Sequence, residues 1–350
     1  MATLGATTYS WPTLLDVAKR TDPGGNIAMI AEILSEYHLI MDMIPWKEGN
    51  LPTGHQHTIR TSLPTPTFRL LNQGVVPAKS STGQIVDTCA LLESRSNIDI
   101  DVAELNGNSA QFRMTESRAF IQGMTNTWAD TLVIGDVSVS PEQFNGLESR
   151  YFSLGSTYTT SSQLIDGGGV GADNTSIWLV GLGPESVFGV YPKGSQAGLQ
   201  VIDRGIQTVE DPNNDGYYFD AYSTVFKWKG GLAIKDYRNV VRICNIDVSA
   251  LLTASNSSDT SANLFKFMSQ AIDYLPPDNR GIRPVFLMTR DTLSMLRVKM
   301  LDKSNVYLAL GDVYNESVPR HMRPVTFMGV PCLRMDSITS TETQITTETT

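Results

Sequence analysis

Asp211-x-Asn213-x-Asp215-Gly216 sets three oxygen-bearing side chains at alternate positions ahead of a glycine. Calcium loops use this spacing to surround a hard cation and turn sharply. The twelfth position of such a loop is Tyr222, which has no carboxylate to grip the ion, and both flanks are patterned as strands. Pro-Asn-Asn-Asp-Gly is first of all turn chemistry, and whether the acidic turn over 211–220 also holds an ion stays open. His55 and His57 fall on one side of a strand and could begin a metal site, yet no neighbouring His, Cys or carboxylate cluster completes four ligands. His38 sits between apolar helix positions and His321 beside Arg320 and Arg323. All four histidines read as surface or partner-contact residues.

Gly181-x-Gly183 follows a β-patterned run, as a dinucleotide fingerprint would, but Pro184 comes next and neither a third glycine nor a helix follows. Gly167 to Gly171 has no strand before it and no helix after it, and no phosphate-cradling GxxxxGK occurs. Cys89, Cys244 and Cys332 are far apart and form no CxxC pair, so they read as reduced, buried thiols. No nucleophile elbow and no zinc-protease helix motif is present. The sequence therefore assigns no catalytic, cofactor-binding or metal-ligating residue, and no cofactor. Glu116, Arg118, Asp130 and Asp136 read as the solvated face of a helix or as inter-subunit ion pairs.

Charge narrows the partners further. A net charge of -9 does not suit a surface that grips phosphate backbones, which needs clustered Lys and Arg. No basic start precedes an apolar run, and no stretch approaches the roughly 18 apolar residues of a membrane span, so the chain is expected to stay in the cytosol or in assemblies built there. At 350 residues with 41% hydrophobic content, about two domains with their own core are expected.

The elements that would position any site are unevenly arranged. Residues 12–18 form a short helical patch broken at Thr21-Asp22-Pro23-Gly24-Gly25. Ile30, Ile33, Leu34, Tyr37, Ile40, Met41 and Ile44 then follow helical spacing up to Pro45. Two short helices on a flexible lead suit an arm that docks on something else. Residues 51–100 read as a long hairpin, with His57 to Leu63 and Phe68 to Leu71 as one leg, Gln84 to Leu92 as the return, and Asn72 to Gly83 as the tip. Such a hairpin is marginal in water alone, so Leu70, Leu71, Val75 and Val76 near its end need a surface to lie on.

No proline occurs between Pro77 and Pro141. Phe120, Met124, Trp128 and Leu132 recur at four-residue steps from Ser109 onward, predicting one long helix over about 109–134, ended by Gly135. A loop follows, then a glycine-rich stretch up to residue 175, expected to be mobile or superficial. β-patterned runs over 176–247 predict a mostly antiparallel sheet that the long helix covers. Residues 263–335 alternate helix and strand as a compact α/β lobe, and the Thr-rich tail after Ser337 is expected to fray.

The successive blocks TLLDVAKRTDPGGNIAMIAEIL, DMIPWKEGNLPTGHQHTIRTSLP, FRLLNQGVVPAKS, LNGNSAQFRMTESRAFIQGM and FNGLESRYFSL resemble, in order and over most of the chain, a major capsid protein subfamily of short-tailed and related bacteriophages. The resemblance implies an α+β chain with the Hong Kong 97-type fold. Its parts would be an N-terminal arm (1–50), an extended β-hairpin loop (51–100) and a peripheral domain with a long spine helix (101–245). An axial α/β domain (246–324) and C-terminal strands with a tail (325–350) would follow.

The function implied is structural: hexamers and pentamers of one chain forming an icosahedral head around double-stranded DNA, enclosed without sequence-specific contact. Inter-subunit contacts would use Ile30, Ile33, Leu34, Tyr37, Arg60, Phe68, Arg69, Leu70, Leu71, Val75 and Val76. Because the arm is reached within the first residues, the resemblance implies a separate scaffolding protein. A portal protein and a decoration or cement protein are further partners, with no membrane, and assembly takes place in the bacterial host cytoplasm. Lys79 and Asn72 do not take over the covalent crosslinking known in some members. Two other readings stand beside this one: a tail or decoration protein, which should lack the long helix, and an α/β enzyme resting on the glycine pairs and the Asp211 cluster.

Overall fold

The structure, a computed structural model, describes residues 38, 40–105, 108–156, 158–211, 216–253, 263–277, 281–300, 308–310 and 325–347. In chain order the elements are α1 (Ile40–Met43), β1 (Trp46–Glu48), β2 (Gly54–Ser62), β3 (Ser81–Thr88), β4 (Ala90–Asp99), α2 (Ile100–Glu104) and α3 (Ser109–Ile134). Then come β5 (Leu164–Asp166), β6 (Asn174–Leu182), β7 (Val187–Tyr191), β8 (Leu199–Glu210), β9 (Tyr218–Ile234) and β10 (Val240–Asp247). The chain continues through α4 (Val248–Thr253), α5 (Leu264–Tyr274), β11 (Arg283–Met288), α6 (Arg290–Met300), β12 (Leu308–Leu310), β13 (Val325–Phe327) and β14 (Val330–Arg334). Among the described residues, no helix is long and apolar enough to cross a membrane. Two compact units divide the chain; described parts of 91–129 and 198–229 build the first, and the other described residues build the second.

In the first unit β8 and β9 pair antiparallel from Leu199↔Trp228 to Glu210↔Tyr218, with an irregularity between Asp203 and Ile206; β4 also neighbours β9. The long helix starts where predicted because Asn108 caps it. Its Oδ1 accepts from Gln111 N at 3.2 Å, and its Nδ2 donates to Gln111 Oε1 at 2.8 Å, which satisfies a backbone donor the first turn would leave orphaned. The apolar steps of the sequence become ring stacks on β9: Phe120 with Phe226 and Trp128 with Trp228, each at 5.4 Å. Arg113 adds an ion pair to Asp203 at 2.7 Å and lies 4.7 Å over the Tyr222 ring.

The second unit is organised around β6, whose nine residues are all buried. It pairs antiparallel with β10 on one side (Val241↔Leu179) and with β11 on the other (Phe286↔Leu179). The strands of 176–247 pair mostly antiparallel, as expected (β6–β10, β7–β9, β8–β9), and strands from outside that range make the whole sheet mixed, since β11–β14, β10–β5 and β1–β7 pair parallel. Amphipathic α5, capped by Asn263 through Lys266 N, buries Leu264, Phe267, Met268 and Ala271 in a core with Ile177, Leu179, Ile243, Phe286 and Leu296. Fully burying side chains of this size contributes ~1.5–3 kcal/mol each. The lobe expected from residue 263 onward thus recruits β5, β6 and β10 from earlier in the chain.

Three expectations are corrected. Phe68 to Leu71 is not a strand leg: pairing stops at Ser62↔Ser81, and Pro64 and Pro66, which lack a backbone donor, leave that stretch outside the ladder. The glycine-rich stretch before residue 175 is not superficial throughout. Leu164 and Ile165 are buried, and a Cβ at Gly167 or Gly169 would come within 2.7 Å of Asn245 O, so those glycines permit close backbone packing. The tail does not fray over 338–347. Glu342 exchanges both backbone bonds with Asn174, and Ile345 does the same with the Asn245 side chain.

Candidate assembly surface and its anchors

Beyond Ser62 the chain leaves the ladder and returns at Ser81, and every residue from 63 to 80 is exposed. Leu63, Phe68, Leu70, Leu71, Val75 and Val76 are exposed apolar side chains; Phe68 is as open as in an extended peptide, at 109%. A turn forms at the predicted tip, with Gln73 N donating to Leu70 O and Asn72 at φ 69°. Arg69 Nη1 closes it onto Gln73 O at 3.1 Å, and Arg60 is exposed on its strand. The contact candidates of the loop are therefore all at the surface; Ile30, Ile33, Leu34 and Tyr37 lie outside the described residues.

What the sequence did not announce is the charged anchor at the hairpin base. The cross-strand pair His55↔Asp87 sets a carboxylate beside two imidazoles. His57 Nδ1 lies 3.6 Å from Asp87 Oδ2, with both side chains buried, and His55 meets the Phe188 ring edge-on at 5.6 Å. Arg150 binds Asp87 Oδ1 at 2.7 Å and the carbonyls of Asn145 and Leu232, so one guanidinium joins the loop base to two other segments. Burial, more than any other cause, lowers the pKa of both histidines; Lys47 and His57 reinforce this at His55, while Asp87 opposes and Arg150 reinforces it at His57. His57 is thus an interior residue rather than a surface one. Among the described residues no group of three or more His, Cys, Asp or Glu side chains converges as a metal site, and Asp87 already accepts from Arg150.

A second anchor holds the 338–347 segment. Buried Arg242 donates to Tyr151 O (2.8 Å), Ser176 Oγ (3.0 Å), Glu148 Oε1 (3.1 Å) and Glu342 Oε2 (3.0 Å), and lies 4.7 Å over the Trp178 ring. Burial pushes the Glu148 carboxyl up, opposed by Arg242 and reinforced by Glu342. Burial pushes the Cys89 thiol up to about 11 and both Cys244 and Cys332 to about 12, which disfavours the thiolate at each. At the suspected calcium turn only Asp211 and Gly216 are described; Asp211 N bonds Tyr217 O at 2.8 Å, linking the ends of β8 and β9. Gly183 leads into a turn closed by Ser186 N on its carbonyl. Chemically these arrangements position backbone and present surface; in the second, Ser176 Oγ also donates to Glu342 Oε2 at 2.5 Å.

Comparison with known proteins places this geometry. No curated protein sequence matches significantly. The family model described as "Major capsid protein GP7" matches residues 22–346. A chain from the near-atomic cryo-EM structure of bacteriophage epsilon15 superposes with a TM-score of 0.77 at 28% identity, over 97% of this chain and 98% of that one. A chain of the bacteriophage JBD30 capsid aligns over 87% of this chain and 92% of that one, with a TM-score of 0.44 and 10% identity. The chain belongs to the major capsid protein GP7 family: it is a structural subunit of an icosahedral bacteriophage head shell, with the Hong Kong 97-type fold.

Proposed function

We propose that the chain builds the head as hexamers and pentamers, with loop 51–100 as its principal reaching contact and the arm (1–50) as a second. The peripheral part (101–245, spine helix 109–134), the axial part (246–324) and the C-terminal strands and tail (325–350) form the body of each tile. The observation that carries this is the loop itself: six large apolar side chains between Leu63 and Val76 are exposed on a segment whose base is tied down by Arg150. A monomer gains nothing from such a surface, whereas burying each side chain against a neighbour contributes ~1.5–3 kcal/mol. Closed symmetry then repeats a weak contact around the shell. Phe68, Arg69, Leu70, Leu71, Val75, Val76 and Arg60 are the loop contacts, and Ile30, Ile33, Leu34 and Tyr37 those of the arm.

The role is non-catalytic. A separate scaffolding protein directs assembly in the host cytoplasm, a portal occupies one vertex, and a decoration or cement protein binds the finished lattice. The -9 net charge suits a wall around concentrated DNA, since it repels phosphate rather than adsorbing it. The test is deletion of residues 64–80 followed by electron microscopy and sedimentation. The expected product is a soluble, folded chain that forms no shells; intact shells would remove the loop from this role.

A further inference from the structure

The extended loop is charged unlike the rest of the chain. Between Glu48 and Asp87 no acidic residue occurs, and the charged side chains of 49–86 are three cations, Arg60, Arg69 and Lys79. The other 312 residues set 24 Lys and Arg against all 36 Asp and Glu, a balance of -12. A reaching segment of +3 is therefore carried by an acidic chain. All three cations are exposed. Among the described residues none of them has an ion-pair partner, and Arg69 alone makes a side-chain hydrogen bond, to Gln73 O at 3.1 Å. Asp87, at the end of the acid-free stretch, is buried and bound to Arg150.

Placement divides the loop into a basic neck and an apolar tip. Arg60 stands opposite Thr82 on the ladder, and Lys79 lies three residues before Thr82 in the chain, so both charges sit where the loop leaves the sheet. The exposed apolar residues from Leu63 to Val76 lie beyond them. This combination selects its partner by charge. Nucleic acid phosphate would answer the neck, but it would leave the tip in water and be repelled by the -12 of the other residues. A second loop would bring cation to cation. The acidic remainder of a second copy offers negative charge to the neck and protein surface to the tip.

We propose that the neck is an electrostatic guide: Arg60 and Lys79 steer the loop onto the acidic remainder of a neighbouring copy before the apolar tip is buried. This rests on the shell reading above and adds how the contact is found. Charges of this kind speed association more than they tighten it, and salt screens them. They also select the pairing, since loop against acidic surface attracts while loop against loop repels. The test follows assembly of full-length chains by light scattering. Arg60→Gln with Lys79→Gln is compared with wild type, with the charge-keeping pair Arg60→Lys and Lys79→Arg, and with Lys266→Gln and Arg297→Gln. The last pair removes two exposed cations from α5 and α6 and so changes net charge equally.

At about 0.01 M salt, where charges act over about 30 Å, the loop Gln pair should assemble roughly tenfold more slowly than wild type, with the melting midpoint of its free subunit unchanged. The charge-keeping pair and the α5–α6 pair should assemble at close to the wild-type rate. At about 1 M salt, where the range falls to about 3 Å, the loop Gln pair should match wild type. Equal slowing of the loop and α5–α6 pairs would reduce the effect to net charge and overturn the guide. So would an unslowed loop pair, or one that assembles normally while losing retention of a double-stranded DNA oligonucleotide, which would give the neck to phosphate. Absence of wild-type shells at every salt concentration would instead overturn the shell reading on which the guide rests.

Discussion

His57 Nδ1 faces Asp87 Oδ2 at 3.6 Å inside the base of the extended loop, and Arg150 holds the other oxygen of the same carboxylate at 2.7 Å. Burial favours the neutral form of His57, and the cations Arg150 and Lys235 act in the same direction against the pull of Asp87. His55, beside Lys47 and His57, is shifted the same way. Each histidine therefore has a folded pKa below its ordinary value near 6.5. The stability this lends is complete above 6.5 and is lost as pH falls through the folded pKa. Hydrogen exchange over 54–62 and 81–88, corrected for intrinsic rates, should reveal more opening at pH 5 than at pH 7.5. His57→Gln should flatten most of that dependence, and an unchanged profile would remove His57 as its source.

The loop should tolerate polar substitution as a fold and not as an interface. Phe68 and Leu71 are almost wholly exposed, and surface changes of this kind usually stay within about 0.5 kcal/mol of wild type. Phe68→Ser with Leu71→Ser should leave the melting midpoint of free subunits within a degree or two while shells fail to appear by sedimentation. Loss of both together would point instead to a packing role inside one chain.

Arg242 offers the opposite case. Its charge is buried and offset by Glu148 and Glu342, so removing it strands two carboxylates. Arg242→Leu should cost about 3–5 kcal/mol in denaturant unfolding. Adding Glu342→Gln should recover part of that loss, because one stranded charge is removed. The recovery decides the matter: without it, the lost stacking on Trp178 would be the larger contribution.

Much of this architecture was legible because its signals are local. The 109–134 helix follows from apolar steps of four, a proline-free stretch and the glycine at 135 that ends it, and the collinear blocks revealed the family. The anchors were not legible. Asp87, Arg150, Glu148, Arg242 and Glu342 belong to no motif, and their partners lie 63 to 100 residues away in sequence. Periodicity reports a face and not what covers it, so the tail seemed free although Asn174 and Asn245 pair with its backbone. The glycine-rich stretch misled for a related reason, since the same composition serves a floppy linker and a backbone that must pack closely.

Glycines sharpen that point into a last prediction. The segment after α3 folds back on its final turn: Gly146 N, Leu147 N and Glu148 N donate to the carbonyls of Gly135, Leu132 and Val133, satisfying acceptors that a helix end leaves open. A Cβ at Gly135 would lie 2.4 Å from both Thr131 O and Phe144 O, and one at Gly146 2.6 Å from Thr131 O. These obstacles are backbone atoms and cannot swing aside. Gly123, midway along the same helix, has nothing within 4 Å of the corresponding position. Gly123→Ala should therefore stabilise the free subunit by about 1 kcal/mol, the helix-propensity difference between the two residues. Gly135→Ala and Gly146→Ala should destabilise it by about 1–3 kcal/mol, as overpacking does. Chemical denaturation of the three variants checks the ordering. A destabilised Gly123→Ala would mean that this position is crowded in solution, and neutral changes at Gly135 and Gly146 would mean that the return segment does not close on the helix.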